Sequence, residues 1–205
     1  DPADLTPAPY EPHSGFADAN ATAYGFAQAA TKRGASIHTG IEVTGIVTES
    51  GKIAGVETSA GFISTRTVLL AAGAFANTLL HPLGIDLGVF PRRSRVVIFR
   101  HPYELPATRR HRVVIDSINR AWSAPITPTP PLTGVPIRDR DGTHPADFDE
   151  SVEQWYIDVA RRILSRRFPA FANATMRGGW TGVYMQSPDG HPIIDKLDVY
   201  DGLFV

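Results

Sequence analysis

The stretch Thr67-Val68-Leu69-Leu70-Ala71-Ala72-Gly73-Ala74-Phe75 is where residue types could do chemistry. Three large apolar residues give way to Ala71, Ala72 and Gly73. The apolar run is the pattern of a strand buried on both faces of a parallel sheet. Small residues at its carboxyl end let another body approach the main chain. In open α/β sheets, ligands sit at the carboxyl ends of strands. The stretch reads as the floor of a cofactor site; its plain alternative is a strand ending in a tight turn under a helix. Other chemistries lack their residues. His13, His38, His81, His101, His111 and His144 show no metal-ligand spacing, and no metal site is expected. His191 follows a turn and reads as a surface histidine. No Ser-His-Asp context and no phosphate-binding glycine loop is present. Catalytic residues stay unassigned at this level.

Bulk composition narrows the classes further. The 205 residues are 42% hydrophobic and 20% charged, with a net charge of −1. That is enough chain for a sizeable core, with no basic field to recruit nucleic acid or an anionic membrane. With no cysteine, disulfides, thiolate metal sites and sulfur-tethered cofactors are excluded. No apolar run is long enough to span a bilayer, and a cytoplasmic protein is expected. The opening Asp1-Pro2-Ala3-Asp4 and the closing Gly202-Leu203-Phe204-Val205, a strand stopped midway, suggest a fragment of a longer protein.

The elements that must position the motif read as follows. Residues 1–15, with four prolines, form a leading loop. Asp18 caps a helix to about Arg33, ended by Gly34, with Phe16, Ala23, Phe26, Ala27 and Ala30 as an apolar face packed on a sheet. Ser36 to His38 is a short strand; Ile41–Thr48, Ile53–Thr58 and a third strand from Phe62 form an antiparallel meander, turning at Glu49-Ser50-Gly51-Lys52 and Ser59-Ala60-Gly61. Ala74 to Leu80 gives one or two helical turns broken by Pro82. Arg95–Arg100, Arg112–Ile115, Asn119–Ala124 and Leu132–Ile137 are half-exposed strands. Pro125, Pro128, Pro130 and Pro131 make one neighbour an edge. After a polar loop over 139–147, Asp149 caps a helix over Ser151–Arg167 with Trp155, Val159, Ile163 and Leu164 buried. Arg161, Arg162, Arg166 and Arg167 form its solvated basic end. A strand then runs to about Gln186, and Pro188-Asp189-Gly190 turns.

The meander followed by Thr67–Phe75, together with Gly178-Gly179-Trp180-Thr181-Gly182-Val183-Tyr184 and Ser187-Pro188-Asp189-Gly190-His191-Pro192-Ile193-Ile194, resembles the D-amino-acid oxidase superfamily. The flavour is that of its sarcosine oxidase, sarcosine dehydrogenase and glycine oxidase branch. The resemblance runs from about Gly15 to Val205 and lacks the family's opening glycine fingerprint and closing glycine-rich loop. It implies an α/β and α+β chain: part of an FAD/NAD(P)-binding-type domain, built from the meander and buried parallel strand, with an antiparallel-sheet substrate domain. The implied divisions are 16–84 for the FAD-binding part, 85–178 for the substrate domain and 179–205 for the return.

The resemblance also implies non-covalent FAD. Val43 would bind adenine through its backbone, and Ala71, Ala72 and Gly73 would lie against adenosine and pyrophosphate. Trp180, Gly182 and Tyr184 would line the substrate pocket. Gly182 stands where monomeric sarcosine oxidases attach flavin through cysteine. Tyr184 stands where the glycine-oxidase type has an arginine gripping the substrate carboxylate; a tyrosine offers one hydrogen bond and no bidentate charged pair. The stretch Pro130 to Val135 has no lysine to match the oxygen-activating one, which leaves dehydrogenase beside oxidase. The expected function of the parent protein is oxidation of a C–N bond of a small amine or amino acid, such as sarcosine or glycine derivatives. The expected partners are that small molecule and the absent terminal segments or another subunit. The alternative is a non-catalytic substrate-domain or assembly module that does not bind flavin alone.

Overall fold

The computed structural model describes residues 8–13, 15, 17–100, 113–125, 131–134 and 146–205. The first seven residues, Phe16, the strand ends read at Arg112 and over 135–137, and most of the polar loop over 139–147 lie outside them. The chain divides into two compact units, one of Asp1–Ala17, Arg93–Arg140 and Asp147–Val183, the other of Asp18–Arg92, Asp141–Ala146 and Tyr184–Val205.

The second unit opens with α1 (Ala19–Thr31), whose N-cap Asp18 accepts the Ala21 N–H at 2.7 Å through Oδ1. The expected packing of its apolar face is not found: no residue of α1 is buried, and Phe26 is 75% exposed. A face of alanines with a single large side chain brings little area to bury, and Ala27 and Ala30 are only partly covered. The segment read as a strand at Ser36 to His38 is irregular and exposed.

The meander forms as β1 (Val43–Glu49), β2 (Lys52–Thr58) and β3 (Gly61–Ser64), in that order across the sheet. Ser50 and Gly51 both take positive φ, 50° and 77°, the requirement of a two-residue turn whose twist matches its strands. Ile46 and Ile53 join Leu70, Ala76, Leu80, Ile85 and Leu203 in one core. β4 (Val68–Leu69) pairs in parallel with β10 (Leu203–Phe204). Burial on both faces is not observed there: Leu70 is buried, but Leu69 is 68% exposed. Its only ladder partner among the described residues is a two-residue strand, which covers one edge and neither face. A 3-10 turn over Gly73–Phe75 leads into α2 (Ala76–Leu80). The α-helix ends at Leu80, as the sequence suggests, and Pro82 sits in a following 3-10 turn, His81–Leu83, where its missing N–H costs nothing.

The other unit is built on β5 (Phe90–Phe99), β6 (Val114–Asp116), β7 (Ala121–Pro125), β8 (Pro131–Gly134), α3 (Gln154–Arg167) and β9 (Met176–Gln186). The strands lie in the order β6-β7-β8-β5-β9. The proline-flanked strands β7 and β8 are therefore internal, not edges. Pro125 and Pro131 oppose each other at the last register position, where the ladder ends and no N–H is needed. β5 is buried rather than half-exposed over its second half, with Arg95, Val96, Val97 and Phe99 all enclosed.

α3 starts later than the sequence suggests. Asp149 accepts the Ser151 N–H at 2.8 Å, making a local turn, and Glu153 is the N-cap. Its buried residues are Tyr156, Ile157, Ala160 and Leu164, while Trp155 is 46% exposed. Tyr156 escapes a hydropathy reading because its hydroxyl counts as polar. It is buried because that hydroxyl donates to the Arg95 carbonyl at 2.7 Å. Tyr156→Phe is expected to lower stability by about 1 kcal/mol in urea titration with the fold retained; an unchanged midpoint would show that the bond contributes nothing.

The basic end of α3 is not simply solvated. Arg167 makes a two-armed pair with Asp116 at 2.6 and 3.1 Å, both side chains largely enclosed. Arg161 donates to the Ala174 carbonyl and lies over the Phe99 ring, and Arg166 donates to Asn119. Near the other end of the helix, Arg95 pairs with Glu153 at 2.7 and 2.8 Å and sits over the Trp155 and Tyr156 rings. Opposite charges thus lock the helix to the sheet at both ends.

Candidate cofactor and substrate site

β4 delivers the small-residue stretch to a cavity. Past Leu70 the backbone turns at Gly73, whose φ of +52° suits glycine. A Cβ built there would meet nothing within 4 Å. Leu69, Leu70, Ala71 and Gly73 form one wall of a cavity of about 480 Å³, and Met185, Ser187 and the His191–Ile194 segment form another. No lysine or arginine is among its lining residues. Such an apolar space suits a flat group lying against main chain.

The second wall is held by a turn. Gly190 takes φ +79°. The buried Ser187 hydroxyl lies 3.0 Å from Asp189 Oδ1 and 2.6 Å from the His191 carbonyl oxygen. The His191 N–H donates to Asp189 at 3.1 Å. That N–H, and then the Ser187 hydroxyl, hold the Asp189 carboxyl below its usual range. The His191 imidazole is at the surface, as read from the sequence.

The expected residues are only partly gathered. Ala71 and Gly73 line the cavity; Val43, Ala72, Trp180, Gly182 and Tyr184 do not. Val43 lies on β1, an edge of the meander. Its neighbour Glu42 exchanges bonds with Ser59, its carbonyl accepting the Ser59 N–H at 2.8 Å and its N–H donating to Ser59 Oγ at 3.1 Å. Strand alternation then turns the Val43 N–H and C=O to the open side. Along β9 the same alternation puts Trp180, Gly182 and Tyr184 on one face of the strand. Trp180 is 46% and Tyr184 41% exposed, and a Cβ at Gly182 would meet nothing within 4 Å. Thr181 points the other way, buried, with its hydroxyl donating to the Ser151 carbonyl at 2.7 Å. The motif reading missed this second wall, Met185, Ser187 and the His191–Ile194 segment. For Met185 a signal was present, because period-2 alternation puts it on the opposite face of β9 from Tyr184.

The profile of one family, DAO, described as FAD dependent oxidoreductase, matches residues 2–205. The chain belongs to that family. Within the DAO family it is 30% identical over 175 residues to a D-amino acid dehydrogenase of Methylobacterium nodulans, covering 84% of this chain and 39% of the relative. It is 25% identical over 177 residues to a glycine oxidase of Pseudomonas putida, covering 80% and 42%. The chain thus spans about two-fifths of the length of these relatives. Its fold matches that of L-proline dehydrogenase from P. horikoshii with a TM-score of 0.79 at 22% identity, over 89% of this chain and 48% of that one. The family is FAD-dependent, and a DAO chain without cysteine has no sulfur to tether flavin. The bare main chain at Gly73, opening on an apolar cavity, is compatible with a nucleotide lying there. Among the described residues no helix is long and apolar enough to cross a membrane.

Proposed function

We propose that the protein carrying this chain is an FAD-dependent oxidoreductase that oxidises a C–N bond of a small amine or amino acid, such as sarcosine or a glycine derivative. The observation that carries the reading is the backbone at Ala71 and Gly73, exposed to a cavity of about 480 Å³ at the end of a parallel strand. The two-electron oxidation is the cofactor's chemistry; the protein supplies position, dryness and charge. The outward N–H and C=O of Val43 would hold the adenine edge. Ala71, Ala72 and Gly73 would let the adenosine and pyrophosphate lie close to main chain. Trp180, Gly182 and Tyr184 would wall the substrate and exclude water. Residues 16–84 and 179–205 would serve the cofactor, residues 85–178 the substrate, and 1–15 would lead in.

Val43→Pro tests the placement cleanly, because the N–H it removes faces away from β2. The expected result is a fall in FAD affinity of about tenfold or more in a fluorescence titration, with apoprotein stability changed by less than about 1 kcal/mol. Unchanged FAD affinity would show that the adenine lies elsewhere. Purified protein that stays colourless with added FAD would favour a non-catalytic module instead.

A further inference from the structure

With no cysteine in the chain, its sulfur chemistry rests on two thioethers, Met176 and Met185. Their settings differ. Met176 packs against the buried core that holds Val97, Phe99 and Tyr156. Met185, half-buried near the end of β9, lines the cavity opposite Leu69 to Gly73. Apart from the Ser187 hydroxyl and the His191 imidazole, the side chains that share this lining are apolar. The Ser187 hydroxyl is already engaged by Asp189 and the His191 carbonyl. A thioether is a soft, polarisable filler of such a wall, and one that opens on a cavity can be reached by a small oxidant. One oxygen added to that sulfur turns an apolar group into a polar acceptor. Pressing such an acceptor against a bound flat group, with no free hydroxyl beside it, carries a desolvation cost.

We infer that Met185 is a peroxide-sensitive site whose oxidation lowers the affinity of this cavity for the cofactor. This rests on the proposed reading, in which the cavity takes part of FAD. The oxidant is hydrogen peroxide. The Met185 sulfur attacks one peroxide oxygen, the O–O bond breaks and an S–O bond forms. The proton on the transferred oxygen passes to the departing hydroxide, which leaves as water. Sulfur loses the two electrons that peroxide gains, and the product is the sulfoxide. Where dioxygen is the electron acceptor of the amine oxidation, it is reduced to this same peroxide, and the modification acts as a brake on the site that makes it. A methionine sulfoxide reductase would release the brake.

The test uses the full-length protein and its Met185→Leu and Met176→Leu variants, each treated with graded hydrogen peroxide. Peptide mass spectrometry reads the gain of one oxygen at each methionine, and fluorescence titration reads FAD affinity. Without FAD, Met185 is expected to oxidise about tenfold faster than Met176, and FAD affinity to fall roughly tenfold with it. Bound FAD should slow oxidation at Met185 and leave the rate at Met176 in place. Methionine sulfoxide reductase should restore the affinity. Met176→Leu should lose affinity on treatment as the parent does, whereas Met185→Leu, a swap of similar volume, should keep its own untreated value. Met185 oxidised no faster than Met176, or its sulfoxide formed with FAD affinity unchanged, would overturn the inference. An equal loss in Met185→Leu would put the effect on another residue and overturn it too. Protein that takes up no FAD before treatment would instead remove the cofactor reading, and the switch with it, whatever the two oxidation rates are.

Discussion

Replacing Gly202 by alanine is expected to destabilise the unit that holds the cavity by about 3 kcal/mol or more. Gly202 has φ +92°, a region that L side chains seldom enter. Its carbonyl accepts the Val68 N–H at 2.9 Å, which starts the β4–β10 ladder. A Cβ there would run into the Arg66 carbonyl oxygen, a backbone atom that cannot swing aside. The clash acts on the only parallel ladder among the described residues, so relief by shifting would undo it. Gly51→Ala is the matched control, since Gly51 also has positive φ, 77°, but a Cβ there meets nothing within 4 Å. The control should lose about 1 kcal/mol. Urea unfolding of both variants decides the matter: equal losses would mean that backbone handedness, not the clash, sets the effect.

Breaking the Asp116–Arg167 pair should be nearly as costly. Asp116 accepts two bonds from Arg167, one from the Asn119 N–H at 3.1 Å and one from the Asn119 side chain at 2.6 Å. Asp116→Ala leaves an enclosed guanidinium without its anion and is expected to lose about 3–5 kcal/mol. The double variant Asp116→Leu with Arg167→Met should recover most of that, because no charge is then left buried. A double variant as unstable as the single one would show that packing, not charge, is at stake.

The same carboxylates set the acid limit. The Arg167 guanidinium holds the Asp116 carboxyl well below its usual range, and the Arg95 guanidinium holds Glu153 at about 2 from an ordinary 4.5. Both native values lie below the unfolded ones, so the unfolded chain binds protons first as pH falls. The stabilisation is complete above about 4.5 and is lost as pH drops towards 2. Unfolding midpoints measured from pH 6 down to 2 should fall, and more gently in Glu153→Gln, which no longer titrates.

Local chemistry made much of the chain legible. The Ser50-Gly51 turn, the Asp18 cap, the meander and the Pro188-Asp189-Gly190 turn are each set by neighbours in sequence, and each forms where its residues place it. The small-residue stretch at Ala71 to Gly73 was readable for the same reason: absent side chains are visible in a string of letters. Partnership across distance was not. Whether Leu69 is covered, whether the prolines around residues 125 and 131 lie at an edge, and which face of α3 turns inward depend on strands and helices far along the chain. The four arginines of α3 read as solvated because a charge advertises exposure, yet Arg167 is enclosed because Asp116, 51 positions away, neutralises it. The sequence by itself determined the elements and the bare main chain that a ligand could touch. Only the tertiary structure decided what lies opposite each of them, since burial and ion pairing are properties of pairs that folding brings together.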